Sequence, residues 1–400
     1  MEKQRKNVLV LSACQATLQT CGVTMIAVTG LAGFALASDK SLATVPLTCY
    51  VVGSAITTVP ASLLMNSIGR RAGFQVGTSI GMVGAAICAL AIYLSQFWLL
   101  CAGMTVMGVY TAFGKYYRFA AADAAEVSFR AKAISLTLAG GIIGGIFGPE
   151  MAKRTTGAFG GDLIYLAPYI SLVFVCLLAT LLLTRLDIPK LTAHERKNSG
   201  RPLAKIMSQP VFIVAVLASM FSYGIMNLMM TSTPLAMHAH EHHFNDAAFV
   251  LQWHMIGMYG PSFFTGSLIS RFGVLNVILT GCFLLLGCIA AALAGTELLN
   301  FWTALFILGV GWNFMYVGGS ALLTEAHAPA ERAKTQAAND LLVFLTMAIS
   351  SMASGVLLNK SGWHAVNYGS IPFLVLAAAA TLWLMWRRRA VPAAAVNPRE

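Results

Sequence analysis

The sequence predicts an all-α membrane protein, with twelve transmembrane helices in two six-helix pseudo-repeat halves, on three observations. Of its 400 residues, 58% are hydrophobic and only 10% charged, whereas about a quarter of the residues of a soluble domain carry charge. Apolar runs of about 20 residues, enough to cross a hydrocarbon core of roughly 30 Å as helix, recur along the whole chain. Two unrelated loop patterns each return half a chain later.

The runs lie near 8 to 34, 44 to 65, 74 to 95, 97 to 121, 131 to 156, 164 to 185, 209 to 235, 247 to 269, 275 to 295, 299 to 324, 336 to 358 and 365 to 386. The first is too long for the core of a cleavable signal and leads straight into the second, so it reads as a first span. The net charge of +11 does not point to nucleic acid, because of where the charge sits. With a cytoplasmic N-terminus, twenty Lys and Arg fall on the inner side and only Lys40, Lys153, Arg154 and Lys360 outside. That is the positive-inside bias, and it puts both termini on the cytoplasmic face of a bacterial inner membrane. The eight cysteines are scattered through apolar spans without a CxxC pair and read as small hydrophobes.

The loop after the second span reads SLLMNSIGRRAG and the loop after the eighth reads GSLISRFGVLN, placing Gly69 and Gly273 204 residues apart. The fifth span is entered through VSFRAK and the eleventh through PAERAK, placing Arg130 and Arg332 202 residues apart. Two loops repeating at nearly one offset divide the chain into a half over 1–186, a polar basic linker over 187–208, a half over 209–388 and a tail over 389–400. Over its full length this resembles the major facilitator superfamily. The loop signature of that family, Gly-x-Leu-x-Asp-Arg-x-Gly-Arg-Arg, is met at Leu64, Gly69, Arg70 and Arg71 and departs at Ser62, Asn66 and Ser67. The resemblance implies a transporter working by alternating access, and a gating loop formed by Asn66, Gly69, Arg70 and Arg71 with Arg271 and Gly273 as its second copy. Asn66 stands where the family has an acid. The run GGIIGGIFGP, residues 140–149, is similar to the glycine-rich fifth span of the superfamily; small residues four apart let helices approach closely.

Residues 220–258 hold seven of the nineteen methionines and five of the eight histidines. Helical positions four apart share a face, so Met226 pairs with Met230 in span seven and His254 with Met258 in span eight. Thioether and imidazole are soft, neutral donors suited to Cu(I), and an ionisable group at membrane depth points to function. Met237, His238, His240, His242 and His243 at the outer end of span seven read as a capture site for the ion, or as solvated loop residues. Packing by methionine and an interhelical hydrogen bond from His254 are the plain alternatives. The pattern Met-x3-Met followed by His-x3-Met resembles CcoA-type copper importers, a branch that also contains riboflavin carriers. The stretches GWNFMYVGGSALLTE (311–325) and AANDLLVF (337–344) are similar to the same branch. This resemblance implies copper import through Met226, Met230, His254 and Met258 in support of cytochrome c oxidase assembly, with copper chaperones as partners. An inside-negative potential favours inward movement of a monovalent cation by about 2.3 kcal/mol per 100 mV.

Two other readings stand beside it. In one, the solute is riboflavin or another small organic molecule, stacked on Trp253, Trp312, Phe314 and Tyr316, with Lys115 or Arg118 on a polar group. In the other, a membrane protein binds copper without moving it. Lys115 and Arg118 lie three apart on one face and are expected to pair with Asp123 or Asp340; Asp340 beside Asn339 is also a candidate for proton coupling. No phosphate-cradling loop is present, so ATP-driven transport and enzyme chemistry are not expected, and no cofactor is called for.

Overall fold

A computed structural model describes residues 2–39, 42–188 and 200–390. Every regular element among them is a helix. In hydrocarbon a chain must satisfy its own backbone N–H and C=O groups, and long apolar runs do so as helix. Eleven helices among the described residues are long and apolar enough to cross a membrane.

The first half holds Glu2–Leu36, Val45–Ile68, Arg70–Tyr93, Phe97–Gly114 continued by Tyr117–Asp123, Arg130–Ala139 continued by Gly141–Thr155, and Leu166–Leu183. The second holds Pro210–Ala239, Val274–Leu293, Leu298–Leu323 and Arg332–Ala390. The predicted eleventh and twelfth spans are continuous in that last helix apart from a kink at Gly362, whose φ of 77° favours glycine. The predicted eighth span is divided into Phe244–Tyr259 and Ser262–Phe272. The break falls at Gly260–Pro261, where the proline supplies no N–H to the ladder. Of the predicted linker, residues 189–199 lie outside the described residues, as do 391–400 of the predicted tail. The start of the linker is pinned: Asn7 donates to the Asp187 carbonyl at 2.7 Å, and Lys3 pairs with its carboxylate at 2.7 Å.

The repeat seen in the sequence has a structural counterpart. Gly69 ends Val45–Ile68 and opens Arg70–Tyr93 with φ 93°, ψ 157°. Gly273 ends Ser262–Phe272 and opens Val274–Leu293 with φ 87°, ψ 149°. Only glycine takes such a backbone without strain. Likewise a single 3-10 turn precedes the helix starting at Arg130 and another precedes the helix starting at Arg332.

The glycine-rich fifth span packs on the first. A Cβ added at Gly144 would stand 2.6 Å from the Ala16 carbonyl oxygen and from Gln19 Cβ, and one at Gly148 would stand 2.8 Å from Val23 Cβ. Thr24 Oγ1 donates to the Gly148 carbonyl at 3.0 Å across the same contact. Overpacking such an approach costs about 1–3 kcal/mol. Gly144→Leu is therefore expected to lower the melting temperature and the detergent-extractable yield. Gly160→Ala, at a site with nothing within 4 Å, is expected to leave both unchanged, and equal melting of the two variants would refute the contact.

The chain forms two compact units. One comprises Met1–Gly200, Ser262–Gly266 and Ala328–Leu345; the other comprises Arg201–Pro261, Ser267–His327 and Thr346–Glu400. Residues 262–266 and 328–345, from the second half of the sequence, thus belong with the first.

Candidate functional site

In the second unit three spans converge on one indole. Trp312 and Tyr316 lie one turn apart on Leu298–Leu323, the tenth span, and their rings stack at 4.9 Å and 21°. Tyr223, from Pro210–Ala239, stands edge-on to both, at 5.2 Å from Trp312 and 4.9 Å from Tyr316. Tyr259, at the end of Phe244–Tyr259, meets Trp312 edge-on at 6.0 Å. All four are buried, Trp312 at 1% exposure, yet the indole Nε1 has no hydrogen-bond partner. A buried Trp N–H usually finds one.

The four aromatics expected to share a ring are thereby separated. Trp312 and Tyr316 belong to this cluster. Trp253 instead contacts Phe249, Trp302 and Phe306, with Trp302 and Phe306 stacked at 5.6 Å. Phe314 is buried but is in neither ring group. Tyr223 and Tyr259 were missed at the level of sequence, because nothing local marks a residue on span seven or eight as a neighbour of position 312.

His254 is fully buried, and its Nδ1–H donates to the Leu305 carbonyl at 2.8 Å. Its Nε2 has no partner. One turn on, the Met258 carbonyl accepts from Asn313 Nδ2 at 2.7 Å. Glycines allow this closeness: a Cβ at Gly309 would lie 2.6 Å from the His254 carbonyl oxygen, and one at Gly319 would lie 2.8 Å from the Ala215 carbonyl oxygen. Spans seven and eight are thus each seated on span ten. Met226 and Met258 are buried and Met230 is half-buried. Among the described residues no hydrogen bond joins any two of Met226, Met230, His254 and Met258, and no group of three or more His, Cys, Asp or Glu is placed to hold a metal ion. Buried methionine sulfur has neighbours of another kind here: Cys288 Sγ lies 3.8 Å from Met229 Sδ and Cys282 Sγ 3.8 Å from Met315 Sδ.

Of the residues expected to capture an ion, His242 and His243 have local contacts. His242 Nε2 is 2.8 Å from the Thr296 carbonyl oxygen, and its ring stands edge-on to Phe301. His243 caps Phe244–Tyr259, its backbone N–H donating to Asp246 Oδ2 at 3.1 Å. His238 and His240 are exposed, whereas Met237 is buried away from them.

The first unit contains a network of buried charge. Arg118 Nη2 donates to Asp340 Oδ1 at 2.5 Å, with both side chains almost wholly buried. Asn339 Nδ2 donates to the same oxygen at 2.8 Å, while Asp340 Oδ2 has no partner. Arg118 Nη1 also donates to the Lys115 carbonyl at 2.7 Å. Of the two acids expected for Arg118, the structure selects Asp340. Asp123 is engaged elsewhere: its Oδ2 accepts from Arg70 Nη2 at 2.9 Å and lies 3.4 Å from Arg332 Nη1. Arg70 also donates to Gln336 Oε1 at 2.6 Å. Asn66, where the resemblance implied an acid in the family, has a buried Oδ1 without a hydrogen-bond partner. Arg71 and Arg271 are exposed, Arg271 lying over the Phe272 ring at 5.2 Å.

A family model described as Major Facilitator Superfamily matches residues 10–316 and 248–400. The chain belongs to the Major Facilitator Superfamily. This facilitator is 37% identical over 374 residues to the riboflavin transporter RfnT of Brucella anthropi, covering 93% of the chain and 94% of the relative. It is 31% identical over 353 residues to the uncharacterized MFS-type transporter YdeG of Bacillus subtilis, with 84% and 82% covered. Among solved structures it resembles the facilitator FucP in the outward conformation, with a TM-score of 0.76, 15% identity and 94% and 98% of the chains covered. It also resembles a bacterial homologue of the iron transporter ferroportin in an outward-facing state, with a TM-score of 0.71, 13% identity and 96% and 99% covered. At those identities the solved structures establish the fold alone. As a facilitator it is a multi-pass transporter, in a family that works on small solutes within a lipid bilayer.

Proposed function

We propose that this facilitator carries riboflavin or a similar planar heteroaromatic solute, with the Trp312 cluster as its stacking surface. The observation that carries the reading is the full-length relative described as a riboflavin transporter, 37% identical over 93% of the chain. The second unit supplies compatible chemistry. Stacked and edge-on aromatic rings hold a flat solute by area and quadrupole, and the unpartnered Trp312 Nε1 offers it a donor.

This replaces the copper reading. The comparisons offer copper no support and favour an organic solute. Copper chaperones and a link to cytochrome oxidase assembly lose their warrant with it. A copper-binding protein that moves nothing also gives way, since the family is one of transporters. The membrane proposed is the bacterial inner membrane with both termini cytoplasmic, on the distribution of Lys and Arg. Transport proceeds by alternating access of two half-bundles, and Asp340, with one carboxylate oxygen unpartnered, is the residue proposed to carry a coupling proton.

The test is uptake of labelled riboflavin and of copper, side by side, in a strain lacking its own riboflavin importer, with and without the protein. Riboflavin uptake is expected to rise with expression while copper uptake stays at background. Copper uptake rising alone would overturn the proposal.

A further inference from the structure

Among the buried polar atoms of the second unit that have no hydrogen-bond partner, His254 Nε2 and Trp312 Nε1 belong to side chains set along one side of span ten. Positions 305, 309, 312, 316 and 319 fall on one helical side. His254 reaches the carbonyl of Leu305, and Trp312 stands two turns further on, about 10 Å by the rise of an α-helix. Ser219 Oγ, also buried and unpartnered, lies near Gly319 at the next heptad position. A buried polar atom left unmade costs about 1–3 kcal/mol, and a native fold retains few of them. Several on one line, beside an aromatic cluster, have a common explanation in a ligand that supplies the missing partners.

The hydrogen-bond roles are fixed by chemistry. His254 Nδ1 faces a carbonyl oxygen and must carry the proton, so in the neutral ring Nε2 is an acceptor. Trp312 Nε1 is a donor and nothing else. The solute must therefore present a donor to His254 and an acceptor to Trp312. An isoalloxazine does both, having one ring N–H, the imide between two carbonyls, and several carbonyl and ring-nitrogen acceptors. Resting on the riboflavin reading above, we infer that His254 Nε2 accepts the imide N–H of a flavin-class solute and Trp312 Nε1 donates to one of its acceptors, making His254 a specificity-determining residue for an organic substrate.

The experiment compares uptake of riboflavin with that of riboflavin methylated at the imide nitrogen, which stacks alike but cannot donate. The wild-type protein is expected to take up the methylated compound about tenfold less well, the worth of one hydrogen bond of roughly 1.4 kcal/mol. His254→Phe is expected to lower riboflavin uptake by a similar factor and to treat the two compounds alike. His254→Gln, which retains an acceptor, is expected to recover part of the discrimination. A loss of packing alone would lower both compounds equally and leave their ratio unchanged in His254→Phe. Equal uptake of the two compounds by the wild type, or discrimination that persists in His254→Phe, overturns the inference while leaving riboflavin transport standing. A wild type that moves neither compound overturns the transport reading and this inference together. The wild-type comparison can refute the inference even where a variant fails to fold.

Discussion

Arg118→Ala and Asp340→Ala are each expected to yield little folded protein. Each leaves its former partner as an uncompensated charge in a site where both side chains are almost wholly buried, and breaking a buried pair from one side costs about 3–5 kcal/mol. That is a large share of the net stability of a typical domain. Replacing both at once with apolar residues of similar bulk, Arg118→Met with Asp340→Leu, removes both desolvation penalties and is expected to melt higher than either single alanine variant. Melting of detergent-purified protein, followed by monodisperse yield on heating, checks the order. If the double variant melts below both singles, an uncompensated buried charge is not the cause of the single variants' loss. Transport should separate from stability in the double variant: with Asp340 proposed as proton carrier, uptake is expected to lose its dependence on a pH gradient even where the fold survives.

Trp312→Ala is expected to be the most damaging single change in the second unit. Truncating a buried indole costs about 3–5 kcal/mol, and Trp312 joins rings from three spans. Milder variants therefore read function more cleanly. Trp312→Phe keeps a ring but removes the donor, and Tyr316→Leu keeps the bulk but removes the stacked partner. Tyr316→Leu is expected to weaken riboflavin binding, measured by quenching of flavin fluorescence, by up to about a hundredfold, since one aromatic stack on a planar base is worth roughly 1–3 kcal/mol, and Trp312→Phe by about tenfold, the worth of one hydrogen bond. Phe314→Leu, outside the cluster, is expected to bind as the wild type does. Equal binding across all three would remove the cluster from the site.

The spans and the halving of the chain were legible because both depend on properties local to the sequence: apolar length, and loop residues that impose a bend. The break in span eight was present as Gly260–Pro261 but lay inside a continuous apolar run, which hydropathy averages away. The importance of buried charge at Arg118 and Asp340 could be read from their depth. The choice of Asp340 over Asp123 could not, because it depends on Arg70 and Arg332 already claiming Asp123, a matter of three-dimensional competition. The histidine-rich segment carried a compositional signal, and among the described residues no group of three or more His, Cys, Asp or Glu is placed to hold a metal ion. His243 turned out to occupy the N-cap position of a helix, its backbone N–H held by Asp246, and His242 to sit against a carbonyl. Half of the aromatic cluster was visible as the i, i+4 pair on span ten; Tyr223 and Tyr259 arrive from other spans and leave no trace in spacing.

The matched bends at Gly69 and Gly273 explain where the doubling of this chain can still be seen. A lipid-facing leucine can drift to valine or phenylalanine at little cost, so the membrane-crossing stretches have room to lose their ancestral likeness. A turn that admits no side chain has no such freedom. The imprint of an ancient tandem copy therefore survives at its corners, and it is at such corners, more than along the helices, that other doubled carriers should be aligned.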